Sequence, residues 1–229
     1  MNQQSPQISL ATIFKKLLWL SYDHIGWLIL LNFIYAILSL TVIGLGFAMG
    51  MIFVSISKLF VNQSYSFSQL WQDIRENWKW AFGYGSVLIL ILVVLTVNIY
   101  FYRNIRGGGN VFGWLSTAIF WFTLIYLMYS LWVIPTKIFF QESLKRTLKK
   151  AWILCFDNLK ISLTMLLLFI GLVFVGLRTG VVYLLFTLSL TTSFIWVAFY
   201  EVIQKYQFGN PLPSMEKRSL RELIRPWAS

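Results

Sequence analysis

Charge is what this chain has least of. Asp, Glu, Lys and Arg together make up 12% of its 229 residues, against roughly 25% in an ordinary soluble domain. The deficit is concentrated in four apolar runs, 80–102, 111–136, 161–177 and 181–200, none of which contains an acid, a base or a histidine. A membrane enzyme or an ion-coupled carrier places ionisable groups within its spans, so both are disfavoured. One histidine, His24, allows no zinc pair and no His-Glu-x-x-His helix. One cysteine, Cys155, allows no internal disulfide and no metal spacing. Its expected role is packing on an interfacial helix. Asp23 and His24 are adjacent and point apart on a helix, and no glycine-rich loop ends in Lys-Ser or Lys-Thr. The expectation is a protein that is not an enzyme and uses neither cofactor nor metal.

What the chain does have is apolar and aromatic surface, 58% and 18% of its residues, with a mean hydropathy of +0.70. A helix needs about 20 residues to cross a hydrocarbon core of roughly 30 Å, and the four runs are close to that. The fold class expected is an all-α polytopic membrane bundle. The first ten residues are polar and uncharged, unlike the basic start of a cleaved signal, so the first span is expected to stay in place. A further apolar run, 25–57, covers 33 residues and would reach about 50 Å as one helix. Ile43-Gly44-Leu45-Gly46 lies near its middle and suits a tight reversal. The reading is a hairpin with helices over about 17–42 and 45–60, Lys58 snorkelling from the second to the interface.

Loop charge favours six spans over five. Six spans place sixteen of the nineteen Lys and Arg residues on one side, leaving Arg103, Arg106 and Arg178 on the other. Five spans would move Lys15 and Lys16 across. By the positive-inside rule both termini are then cytoplasmic. The same rule accounts for the net charge of +11 without invoking nucleic acid.

A short phrase recurs before three of the apolar runs: Tyr22-Asp23-His24-Ile25-Gly26, Arg75-Glu76-Asn77-Trp78-Lys79 and Phe156-Asp157-Asn158-Leu159-Lys160. Laying 13–25 over 147–159 aligns Lys15-Lys16 with Lys149-Lys150, Leu20 with Leu154 and His24 with Asn158. The chain divides into three units, about 8–60, 66–136 and 140–205, within a six-span domain over 1–209. Each unit reads as a short cytoplasmic interfacial helix, a corner and an αα hairpin. Asp23, His24, Glu76, Asn77, Asp157 and Asn158 stand at the corners, where side-chain oxygens would accept the orphan N–H groups of the next helix. Converging corners would form a cytoplasmic vestibule or docking face. Flanking aromatics such as Trp19, Trp71 and Trp152 suit the interfacial belt.

The densest neutral polar cluster is Thr187, Ser189, Thr191, Thr192 and Ser193. Such hydroxyls bond between helices or would line a path for a neutral polar solute. Gly46-x-x-x-Gly50 permits close helix contact. After Gly209-Asn210-Pro211-Leu212-Pro213, residues 210–229 read as a basic amphipathic tail. Leu220, Leu223, Ile224 and Trp227 form one face, ringed by Lys217, Arg218, Arg221 and Arg225. It would lie on an anionic leaflet or bind a partner.

The stretches Thr41-Val42-Ile43-Gly44-Leu45-Gly46-Phe47-Ala48, Ser66-Phe67-Ser68-Gln69-Leu70-Trp71 and Arg75-Glu76-Asn77-Trp78-Lys79, with Lys58 between them, resemble the YesL family of bacterial multispan membrane proteins. The likeness is strongest over about 28–87. Where that family has a Gly-Pro step in the turn, Leu45 follows Gly44. The resemblance implies a bacterial, Gram-positive, multi-pass plasma-membrane protein. It also implies a gene neighbourhood of carbohydrate ABC transporters, with no catalytic residues to carry over. The expected function is a non-enzymatic accessory to carbohydrate uptake whose partners are the bilayer and, on the cytoplasmic side, transporter components. The alternative is a small carrier or channel for a neutral polar solute.

Overall fold

The computed structural model describes residues 10–61, 65–104, 109–180 and 186–206. These residues form eight α-helices and no strand. They are α1 (Leu10–Asp23), α2 (Ile25–Leu38), α3 (Val42–Val61), α4 (Phe67–Asn104), α5 (Gly109–Phe140), α6 (Leu144–Asp157), α7 (Leu159–Thr179) and α8 (Leu188–Lys205). Three helical stretches are long and apolar enough to cross a bilayer: Phe67–Asn104, Val111–Phe140 and Leu159–Gly176. A fourth crossing is reached if α1 and α2, which meet at 87°, are one broken span. The six spans expected from loop charge exceed this, because α2 has 14 residues and α8, of 18 residues, carries hydroxyls together with Glu201 and Lys205. Within the most apolar window of α4 only 11% is buried inside the chain. Val87, Leu90, Val94, Val97 and Phe101 instead face outwards, as lipid contact requires.

The first hairpin reverses at Ser39-Leu40-Thr41, ahead of the glycines expected to turn it. Thr41 makes the turn: its Oγ1 accepts the Gly44 N–H at 3.0 Å, capping α3 as hydroxyls do at helix starts. Gly44 and Gly46 belong to α3 itself. Gly46 lies backbone to backbone against Gly85 of α4, where a Cβ built on Gly85 would stand 1.8 Å from the Gly46 carbonyl oxygen. Gly50 meets Ala81 one turn on. The Gly46-x-x-x-Gly50 spacing is therefore a packing seam, matched on α4 by Ala81 and Gly85.

Two of the three recurrent phrases stand at helix breaks. His24 (φ −120°, ψ 20°) separates α1 from α2, and Asn158 (φ −119°, ψ 47°) separates α6 from α7. Each keeps the backbone ladder nearly intact: the His24 N–H donates to Leu20 O and its carbonyl accepts from Leu28, as Asn158 does with Leu154 and Ser162. The middle phrase makes no corner. Glu76 and Asn77 lie inside α4, a single helix of 38 residues. Asn77 Nδ2 donates to Asp73 O at 2.9 Å, and its Oδ1 accepts from Trp80 Nε1 at 2.7 Å, so its amide serves the helix interior.

α8 is the central element, buried at every position from Thr191 to Tyr200. It packs against α1, α2, α3, α5 and α7. Asn32 of α2, fully buried, accepts the Ser189 N–H at 2.8 Å, satisfying an orphan donor of the first turn of α8. Lys16 of α1 pairs with Glu201 of α8, and this ties the first helix across the far end of the last. The tail 210–229 lies outside the described residues.

Candidate functional site

The last turns of α3 and α5 and the 76–80 stretch of α4 enclose a crevice of about 330 Å³. Each helix contributes by its register. α3 supplies Ser57 and Lys58 in its last turns, α4 supplies Glu76, Asn77 and Trp80 one helical turn apart, and α5 supplies Lys137 and Ile138, with Gln141 just beyond it. Gln141 adopts φ 51°, a left-handed conformation that stops α5 there and returns the chain towards α6. Lys137 Nζ donates to the Glu142 carbonyl at 2.5 Å and lies 5.8 Å from the Tyr84 ring centre. The lining thus carries two ammonium groups, the carboxylate of Glu76, which accepts from Gln72 Nε2 at 2.8 Å, and the amides of Asn77 and Gln141. That set can hold a polar or charged segment of a partner.

Behind the crevice sits a carboxylate that no motif in the sequence marks out. Asp73 is 6% exposed. Its Oδ2 accepts from the Tyr65 hydroxyl at 2.9 Å and its Oδ1 lies 3.6 Å from Lys58 Nζ. Burial first, and then the Asp73 carboxylate, push the Tyr65 phenol well above its ordinary pKa, so it stays a donor. Trp27 packs edge-on to Tyr65 with ring centres 5.2 Å apart, linking this cluster to α2. The one available signal was position: Asp73 lies a turn before Glu76, on the opposite side from the exposed Trp71.

The three expected corner sites do not converge on this crevice. Its lining comes from α3, α4 and α5, so only Glu76 and Asn77 take part. His24 packs near Phe60 at the end of α3, ring centres 6.3 Å apart. Burial lowers its pKa, opposed by the neighbouring Asp23. Asp157 and Asn158 are held by the residue that ends α8: the Tyr206 hydroxyl donates to Asp157, and Asn158 Nδ2 donates to Tyr206 Oη at 3.1 Å. Burial, then the Asp157 bond, raise the Tyr206 pKa.

Neither corner side chain caps the following helix, contrary to expectation. At the second corner Ser162, from within α7, ties α7 to the end of α6 and to α5 instead. Its hydroxyl lies 2.7 Å from Cys155 O, 3.1 Å from Asn158 O and 3.0 Å from the donating Trp132 Nε1. Cys155 is fully buried on α6, and burial raises its thiol pKa against the bond from Ser162.

Of the hydroxyls expected to line a solute path, two bond to the preceding turn of their own chain. Thr191 Oγ1 donates to Thr187 O at 2.6 Å, and Ser189 Oγ to Phe186 O at 3.2 Å. Thr191 and Thr192 do reach a second cavity of about 300 Å³ between α3, α4, α5, α7 and α8, but apart from them and Ser39 its lining is apolar. Among the described residues no three His, Cys, Asp or Glu side chains come together.

Residues 16–99 match a family model described as a protein of unknown function, DUF624. The DUF624 stretch runs from α1 through most of α4. It therefore holds the first corner, the glycine seam and the Asp73, Glu76 and Asn77 cluster, while α5 to α8 lie beyond it. No curated protein and no solved structure matches the chain.

Proposed function

We propose that this chain is a non-enzymatic membrane protein that docks a partner through its basic end, as an accessory to carbohydrate ABC-type uptake in a bacterial plasma membrane. The observation that carries the docking reading is the division of polarity. The crevice is lined by Lys58, Glu76, Asn77 and Lys137, whereas the cavity between the helices is apolar apart from three hydroxyls. The YesL resemblance supplies the carbohydrate context, and the DUF624 match covers the crevice residues of α3 and α4. Replacing Glu76→Lys with Asn77→Leu should abolish co-purification with sugar-transport components and lower sugar uptake to the level of a deletion strain. Unchanged uptake in the deletion strain would sink the reading.

The same proposal includes six crossings with both termini inside. α2, α3 and α8 would be the short spans, about 21, 30 and 27 Å long at 1.5 Å per residue, met by local bilayer thinning. In a Cys155→Ala background, Thr41→Cys should react with an impermeant maleimide from outside and Gln141→Cys only from inside. Labelling of Thr41→Cys from the inside would refute six spans.

The carrier reading draws on one observation, the contact of Thr191 and Thr192 with the inner cavity. Its test is proteoliposome flux of a neutral polyol, which should fall when Thr191, Thr192 and Ser193 are replaced by Val. An absence of flux in the unsubstituted protein removes it.

A further inference from the structure

The inner cavity has a floor of Ile52, Phe53, Leu131 and Ile195, all buried, and a rim of half-buried Leu92 on α4 and Phe169 on α7. The helices around it contribute from their apolar stretches, with Ser39 of the α2–α3 turn at one end, so the cavity reaches from that turn into the depth of the hydrocarbon core. We propose that it holds one acyl chain of a membrane phospholipid, entering sideways between α4 and α7.

Three physical points favour that occupant. Water needs two to four polar partners to settle in a cavity, and the lining offers three hydroxyls, of which Thr191 is already committed to Thr187 O. A neutral polar solute meets the same shortage. An apolar void left empty forfeits dispersion contacts along its whole wall. Apolar cavities of about 150 Å³ stay dry and take up benzene, and this one, at about 300 Å³, has acyl chains as its neighbours at the rim. The outward apolar faces of α4 and α7, with Leu90, Val97, Leu167 and Phe174 exposed, present the mouth to lipid rather than to solvent. This inference is independent of the docking reading, and either can fail alone.

The test uses the full chain in liposomes containing phosphatidylglycerol with a diazirine in one acyl chain, the labelled residues being read by peptide mass spectrometry. Label should appear on Phe53 and Ile195, each 2% exposed, as well as on exposed Leu90 and Val97. Label confined to the exposed positions would overturn the proposal. Ala48→Phe and, separately, Ile52→Trp fill the cavity and should cut labelling of Ile195 at least tenfold, with Leu90 and Val97 unchanged; undiminished Ile195 labelling in both would also overturn it. If neither variant folds, competition in the unsubstituted protein decides. Loss of Ile195 label to excess phosphatidylglycerol supports a phospholipid chain, and loss only to excess oleic acid refutes it.

Discussion

The sharpest test of the packing is Gly85→Ala. A Cβ there would lie 1.8 Å from the Gly46 carbonyl oxygen, where ordinary contact begins near 3.4 Å, so α3 and α4 must part by about 1.6 Å. The obstacle is backbone on a helix, which no rotamer change relieves. Overpacking a tight site costs about 1–3 kcal/mol and sometimes more, and this contact belongs at the upper end because the Gly50–Ala81 contact one turn away opens with it. At about 2–4 °C per kcal/mol for a chain of this length, a loss of about 3 kcal/mol lowers the melting temperature by about 6–12 °C. Gly83→Ala is the internal control: it lies on the same helix, a Cβ there meets nothing within 4 Å, and alanine gains up to about 1 kcal/mol of helix propensity. Both variants are compared in one detergent by intrinsic tryptophan fluorescence on heating. A Gly85→Ala protein as stable as Gly83→Ala would refute the seam.

Asp73→Leu strips the acceptor from the buried Tyr65 hydroxyl and should destabilise by about 1–3 kcal/mol. Tyr65→Phe in that background should restore part of the loss, and chemical unfolding of the four proteins measures the coupling. Because the folded state raises the Tyr65 pKa from its ordinary 10.0, the stability it contributes is present below that value and lost as pH climbs above it; Tyr65→Phe should flatten this alkaline loss in a melting-temperature profile. Ser162→Ala orphans the buried Trp132 N–H and Cys155 carbonyl, at about 1–3 kcal/mol, and Trp132→Phe should cost less in that background than alone, as thermal unfolding would register. Tyr206→Phe releases Asp157 and Asn158 from the end of α8, which should speed hydrogen exchange of the amides at 157–162 while those of α4 stay unchanged.

Much of the helix layout was legible in sequence, because apolar runs of bilayer length have no other stable form in lipid. The run 111–136 became α5, 161–177 became α7, and the basic amphipathic segment before Asp157 became α6. The corners were legible only in part. An acid followed by His or Asn before an apolar run marks a break at His24 and Asn158, yet the same pattern runs straight through α4, where Trp80 engages the Asn77 amide. A side chain that caps in one context props a helix in another, and nothing in the phrase distinguishes them.

The sequence by itself determined where most of the long apolar helices run, since that follows from local composition. Tertiary structure alone decided which groups meet. It set Gly46 against Gly85, seated Asp73 between Tyr65 and Lys58, and made Asn32 cap a helix 157 residues away. It also buried the middle of α8 and bonded the Ser189 and Thr191 hydroxyls to carbonyls of the preceding turn. Those outcomes depend on contacts between helices far apart in the chain, and hydropathy and periodicity carry no record of which face of one helix is offered to another.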